Sequence, residues 1–168
     1  MVAILSSRAV PFWGGCSAGG FARVTFHAKK KLTTAEWATC VKRGQLTKAI
    51  QKLKPTRRHG PWHVLCDNES FLDSKASRSA LRACGVKLWH IPARSPGLNP
   101  VERVWSSLRS KLRKMDLADA VAKKPVLGKR AYVERVKRVL QSKYMQKVSA
   151  NCALGLKRVC KELLARNP

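Results

Sequence analysis

Acidic side chains are scarce in this 168-residue chain, 9 Asp and Glu against 35 Lys and Arg, so their positions carry information. Asp67 follows the apolar run Trp62-His63-Val64-Leu65-Cys66, which reads as a buried strand. It therefore stands at a strand's carboxyl end, where open α/β sheets place functional groups. Glu102 falls in the first turn of a helix that Asn99 opens as N-cap and Pro100 as first helical residue. Two carboxylates meeting at one sheet edge suit Mg²⁺, a hard ion that takes oxygen ligands. Two-ion phosphodiester chemistry needs a third carboxylate beside them. Plainer readings use the same residues: Asn99-x-x-Glu102 is also a capping-box spacing, and Asp67-Asn68 is also a turn former.

The segment between the two acids must bring them together. Its spacing predicts a helix opening at Ser70 with Asp73 as capping partner, an inner face including Leu81 and Cys84, and a stop at Gly85. Val86–Ile91 reads as the next strand, ended by Pro92, and strand–helix–strand implies a right-handed parallel crossover. Ala93–Pro100 is a constrained loop. In the helix that follows, Val101, Val104, Trp105, Leu108 and Leu112 form one apolar stripe, with Arg103, Arg109, Lys111, Arg113 and Lys114 mostly off it.

Upstream, Val2-Ala3-Ile4-Leu5 and Ala22–Phe26 are short strand candidates, with Gly14-Gly15 and Gly19-Gly20 marking turns. From Thr33 or Thr34 the period becomes helical, with Trp37, Cys40 and Val41 on one stripe, continued after Gly44 by Leu46, Ile50 and Leu53. Residues 54–61 form a basic loop. Beyond Asp116, two or three further helices are expected, broken near Pro125 and Ser142. Trp13, Trp37, Trp62, Trp89 and Trp105 all fall where packing is their expected role.

The formal charge of +26 makes nucleic acid the expected partner, bound mainly through phosphates. The excess divides evenly between residues 1–104 and the shorter 105–168, so it is not a tail. Candidate phosphate contacts are Lys29, Lys30, Lys31, Lys54, Arg57, Arg58, Arg94, Arg109, Lys111, Arg113 and Lys114, with Lys123, Lys124, Arg135, Lys137 and Arg138 behind them. No apolar run is long enough for a membrane helix, and no segment reads as a basic amphipathic anchor, so a membrane partner is not expected. The six cysteines show no Cys-x-x-Cys pair and the four histidines no ligand spacing, which argues for reduced core thiols of an intracellular protein. The first 35 residues are basic with no acid but Glu36 just beyond, a faint organellar-targeting composition set against Gly pairs and strand-like alternation that look structural. A nuclear or organellar location, the mitochondrion included, is the expectation.

Residues 62–112 resemble the catalytic core of Tc1/mariner-type DDE transposases, which have an RNase H-like fold. The matching pieces are Val64-Leu65-Cys66-Asp67-Asn68, then Ile91-Pro92-Ala93-Arg94-Ser95-Pro96-Gly97-Leu98-Asn99-Pro100-Val101-Glu102, then Trp105 and Leu108. The 34 residues between Asp67 and Glu102 equal the family's spacing between its last two acids. Trp13-Gly14-Gly15, Gly19-Gly20 and Val24-Thr25-Phe26 are similar to its central hairpin. The resemblance implies an α/β fold, an incomplete RNase H-like mixed sheet with helices over residues 1–114, followed by a basic helical extension over 115–168. It also assigns Asp67 and Glu102 as catalytic and metal-binding positions.

The chain departs from the family as well. The family's first catalytic Asp precedes the hairpin, a position that would lie before Met1, and Glu36, on an expected helix, cannot replace it. Gly97 stands where the family usually has Asp, and Glu69-Ser70-Phe71 follow Asp67-Asn68 in place of small residues and a His. No helix-turn-helix module precedes the core. The sheet should therefore have an open edge, paired by the N-terminal residues or by a partner. The expected function is a nucleic-acid-binding transposase remnant with an incomplete, vestigial site that requires no cofactor. The alternatives are a structural rRNA-binding protein of a ribosome or other ribonucleoprotein, and a Mg²⁺-dependent strand-transferase or endonuclease completed by another chain.

Overall fold

The computed structural model describes residues 10–26, 31–53 and 61–166. Two strands come first: β1, Phe12–Ser17, and β2, Gly20–Phe26, paired antiparallel with a register shift between Trp13 and Gly14. Gly14 and Gly15 lie inside β1 at this irregularity rather than in a turn, a place where glycine commonly marks a bulge. The turn is at residues 18–19. A Cβ on Gly19 would run into the Leu53 backbone, so the turn needs glycine for this close approach.

α1, Thr34–Lys42, begins with a reciprocal cap. The Thr33 hydroxyl accepts from the Glu36 amide at 3.3 Å, and the Glu36 carboxylate accepts from the Thr33 amide at 2.9 Å. Gly44, at φ 71°, separates α1 from α2, Gln45–Lys52. β3, Trp62–Cys66, runs parallel to β4, Val86–His90, in register Trp62 with Val86 through Cys66 with His90. α3, Lys75–Ala83, connects them, so the expected strand–helix–strand unit is present.

That helix starts four residues later than the sequence suggested. Ser74, not Ser70, is the N-cap, accepting from the Ser77 amide at 3.1 Å. Phe71 and Leu72 are both buried in the turn before it. The Ser77 hydroxyl closes that turn by donating to the Phe71 carbonyl at 2.5 Å. Asp73 is on the exposed surface.

α4, Pro100–Val121, carries its stripe Val104, Leu108 and Leu112 inward. It runs straight past residue 114, where the sequence suggested a division of the chain. α5, Lys129–Gln141, and α6, Lys143–Arg166, follow, with the break at Ser142 as expected. No helix among the described residues is long and apolar enough to cross a membrane.

The strands lie between two helical layers. On one side, Ala22 and Val24 of β2 and Cys66 and Val86 of the parallel pair pack with α1–α3 around Trp37 and Leu72. On the other, Phe21 packs with Val104, Leu108, Val136 and Met145 of α4–α6. The alternation of β1 serves both: Trp13 meets Trp37 at 4.7 Å between ring centres, while Phe12 meets Trp105 at 5.1 Å. α6 reaches back to the hairpin, where the Phe21 amide donates to Gln146 Oε1 at 2.9 Å.

The incomplete mixed sheet expected from the sequence consists, among the described residues, of an antiparallel pair, β1–β2, and a parallel pair, β3–β4. Trp89 corrects another expectation. Its side chain is 55% exposed on the outer face of β4, beside Leu65 of β3, and its indole donates to His63 Nδ1 at 2.6 Å. The opposite face, with Trp62, Val64 and Cys66 of β3 and Val86 and Leu88 of β4, packs against the core.

All six cysteines are free thiols. Burial pushes the Cys16 thiol up to about 12, with Cys152 adding to the effect, and burial likewise raises Cys40 and Cys66 to about 11. Thiolate is the reactive form, so these three should resist iodoacetamide at pH 8 in the folded chain and react once it is denatured. Peptide mass spectrometry of alkylation before and after denaturation checks this; rapid labelling of Cys40 in the native chain would contradict it.

Candidate active site

Asp67 leaves the carboxyl end of β3 exposed to solvent, and Glu102 is half-buried in the first turn of α4. One side chain ties the two elements together. Asn99 is buried, and its Oδ1 accepts from the Val101 amide at 3.2 Å as the helix cap. Its Nδ2 donates to Asp67 Oδ1. The strand end and helix start therefore share an amide that satisfies both, and Asp67 and Glu102 line the same cavity of about 650 Å³. A second amide fixes the strand end: Asn68 Nδ2 donates to the Ile91 carbonyl at 2.9 Å. The sequence showed Asn99 only as a cap, because its second role depends on a residue 32 positions away.

Asn99 caps α4 with its own side chain, which accepts from the Val101 amide rather than from that of Glu102. The surroundings of Asp67 are acidic on the strand side. Burial, reinforced by the Asp67 carboxylate, holds the Glu69 carboxyl above its usual range, while Lys31 acts in the opposite sense. Among the described residues, no three His, Cys, Asp or Glu side chains form a group able to hold a metal ion. One carboxylate oxygen of Asp67 is already engaged by Asn99. Glu69 lines the same cavity as Asp67 and Glu102, but the three do not converge on one point, so they do not fit a site for two Mg²⁺ ions, which needs shared carboxylates and strict octahedral geometry.

The basic candidates separate into groups. Lys31, Arg94, Arg109, Lys111, Arg113, Lys114, Lys123, Lys124 and Arg138 are exposed. Arg94 takes a positive φ of 60° in the loop before α4. Arg109 and Arg113 stand seven and eleven residues after Glu102, so they continue the side of α4 on which Glu102 lies. Lys111 lies over the Tyr144 ring at 5.8 Å.

Three candidates have partners within the fold. Arg135 is only 14% exposed and forks between Asp116, at 2.7 Å, and Asp119, which ties α5 to α4. This hydrogen bond holds the Asp119 carboxyl below its usual range. Lys124 adds to it at 3.3 Å. Lys137 pairs with Glu134 at 2.6 Å and stands over the Phe26 ring at 5.3 Å. Lys29, Lys30, Lys54, Arg57 and Arg58 lie outside the described residues, as does the strand candidate Val2–Leu5.

Comparison with known proteins bears on the family and the fold. The family model "DDE superfamily endonuclease" matches residues 14–122. The fold is similar to that of the Mos1 transposase catalytic domain solved with raltegravir and Mg, with a TM-score of 0.59 and 16% identity over 86% of this chain and 69% of that one. Two further structures are similar to the same degree, the Mos1 mariner transposase catalytic domain and its form with raltegravir and Mn. Each has a TM-score of 0.59 and 15% identity over 86% of this chain, covering 68% and 70% of theirs. No curated protein matches the sequence. A match of the family model over most of the chain, with the strand-end Asp67 and helix-start Glu102 inside it, means that the chain belongs to the DDE superfamily of endonucleases, with the RNase H-like fold of the Mos1 catalytic domain.

Proposed function

We propose that this 168-residue chain holds nucleic acid by its phosphates and does not itself cut or join it. The observation that carries this reading is the pairing of a two-carboxylate site with an exposed basic face leading away from it. Asp67 and Glu102 meet at one cavity rim through Asn99, and Arg109 and Arg113 extend along α4 from there. The basic face attracts a polyanion whether or not chemistry follows. The chemistry is a harder requirement. Phosphoryl transfer by two ions needs them about 3.5 to 4 Å apart under shared carboxylates. Asp67, Glu69 and Glu102 line the cavity without forming a group able to hold a metal ion among the described residues, and nearby Lys and Arg repel a divalent cation.

The test incubates the purified chain with supercoiled DNA and Mg²⁺ or Mn²⁺, beside a double variant Asp67→Asn, Glu102→Gln. Neither is expected to nick. Metal-dependent nicking by the natural chain, lost in the double variant, would overturn the reading and show that a further carboxylate reaches the site from another chain.

A further inference from the structure

The outer face of the β3–β4 pair carries a second surface next to the site. Side chains alternate along a strand, so His63, Leu65 and Asp67 fall on one face of β3, with Lys87 and Trp89 on the same face of β4. The ladder persists to that end, where the Ile91 amide donates to the Cys66 carbonyl at 2.9 Å. The register sets Leu65 beside Trp89 and His63 beside Lys87. Leu65 is 43% exposed and Trp89 55%, although tryptophan is on average a highly buried residue. The indole is not loose. Its Nε1 donates across the strand pair to His63 Nδ1 at 2.6 Å, which fixes the ring on the sheet. Lys87 Nζ lies 5.7 Å from the ring centre and brings a positive charge to the same place. His63, Leu65 and Asp67 also line the cavity that Glu102 shares, so this face is continuous with the rim of the site. Leu65 and Asp67 are two residues apart, about 6.6 Å along β3.

We infer that this face is a stacking platform on which Trp89 takes an unpaired nucleobase of a single strand lying across β3 and β4 beside the Asp67–Glu102 site. The inference rests on the phosphate-binding reading above and adds a base contact to it. Three observations select this occupant. The first is the ring itself. Every nucleobase has a π-face, so a flat, accessible indole binds bases without regard to sequence. A duplex hides those faces within its own stack, so only an unpaired base can use the platform. The second is preorganisation. The bond to His63 already holds the indole in place, so little side-chain freedom is lost when a base arrives, and Leu65 extends the apolar surface beside it. The third is charge. Lys87 has a flexible stem that lets its ammonium follow a phosphate while the base covers the ring. A chain of net charge +26 attracts a polyanion to this face and repels a second copy of itself.

The test titrates the full chain with three probes of equal length: oligothymidylate, an abasic strand and a duplex. Fluorescence anisotropy of the labelled probes gives affinity, and tryptophan emission reports stacking. Oligothymidylate should quench an emission component that Trp89→Phe lacks, whereas the abasic strand and the duplex should bind without quenching it. Trp89→Ala should weaken oligothymidylate binding roughly 5- to 150-fold and leave the other two probes unchanged. Trp89→Phe should recover most of that loss, and Trp89→Leu, apolar but without a ring, should not. Equal losses on all three probes would overturn the inference, as would no loss at all, or Trp89→Leu binding as well as the natural chain. Emission from Trp89 that changes with protein concentration in the absence of nucleic acid would make this face a contact between copies and overturn it too. Should Trp89→Ala not fold by circular dichroism, the Phe and Leu variants and the quenching of the natural chain decide. A natural chain that binds none of the probes would sink the phosphate-binding reading together with this one. Duplex and abasic binding with no effect of substitution at Trp89 would sink this one alone.

Discussion

Raising salt from 50 to 200 mM should weaken binding of this chain to duplex DNA by about a thousandfold. The expectation follows from counterion release, with log affinity falling against log salt at about −0.9 per phosphate neutralised. Lys31, Arg94, Arg109, Arg113, Lys114 and Lys111 are exposed around or along α4 and the site, giving a slope near −5 if each meets one phosphate. Replacing Arg109 and Arg113 by Gln should reduce the slope by about two, roughly one per contact, and weaken binding uniformly across sequences. Replacing Arg135 should instead act on stability. Its guanidinium is committed to Asp116 and Asp119 and holds the Asp119 carboxyl low. That stabilisation is present above the ordinary carboxylate range and is lost as pH falls through it. Fluorescence titrations of a labelled duplex at several salt concentrations measure the slope. An affinity indifferent to salt would count against phosphate binding altogether.

Trp37→Ala should cost about 3–5 kcal/mol, a large share of the roughly 5–15 kcal/mol that holds such a domain folded. Trp37 is fully buried on α1 and touches Trp13 of β1 and Phe71 of the turn before α3, so its removal opens a cavity where three elements meet. At about 2–4 °C per kcal/mol for a domain of this size, the melting temperature should fall by roughly 6 to 20 °C. Trp37→Phe should cost distinctly less. The indole Nε1 is buried without a hydrogen-bond partner among the described residues, a situation worth about 1–3 kcal/mol against the native state. Phenylalanine removes that donor while keeping most of the ring. Calorimetry of both variants checks the order; equal losses would mean that the donor is satisfied in solution.

The parts of this fold that were legible in the sequence were those fixed by local chemistry. Asn99 and Pro100 announce α4 because a cap and a missing amide act within one turn. Gly85 ends α3 because its φ of 65° suits a residue without Cβ. β3 and β4 were legible as apolar runs, and their pairing followed from the helix between them. What stayed hidden depends on distant residues. Ser70-x-x-Asp73 imitates a cap, but Ser74 takes that role, with Phe71 and Leu72 buried in the turn before it. Trp89 reads as core until one sees that, among the described residues, no helix covers the outer face of β4. Arg135 looks like any phosphate contact until Asp116 and Asp119, on the preceding helix, are seen to claim it. For the same reason the acid pair was legible as a spacing, while its link through Asn99 was not.

The Phe21 amide and Gln146 are bonded across 125 residues of chain, and the core side of the hairpin that includes Phe21 is otherwise built from α4–α6. During synthesis at about 5–20 residues per second, the hairpin therefore waits roughly 6 to 25 seconds for the residues that cover it. Over that interval Phe12 and Phe21 are apolar surface on a nascent chain already carrying unpaired strand edges. Productive folding in the cell is thus set by how long this half-made core can be kept from other chains, and slowing translation after residue 120 lengthens the exposure rather than relieving it.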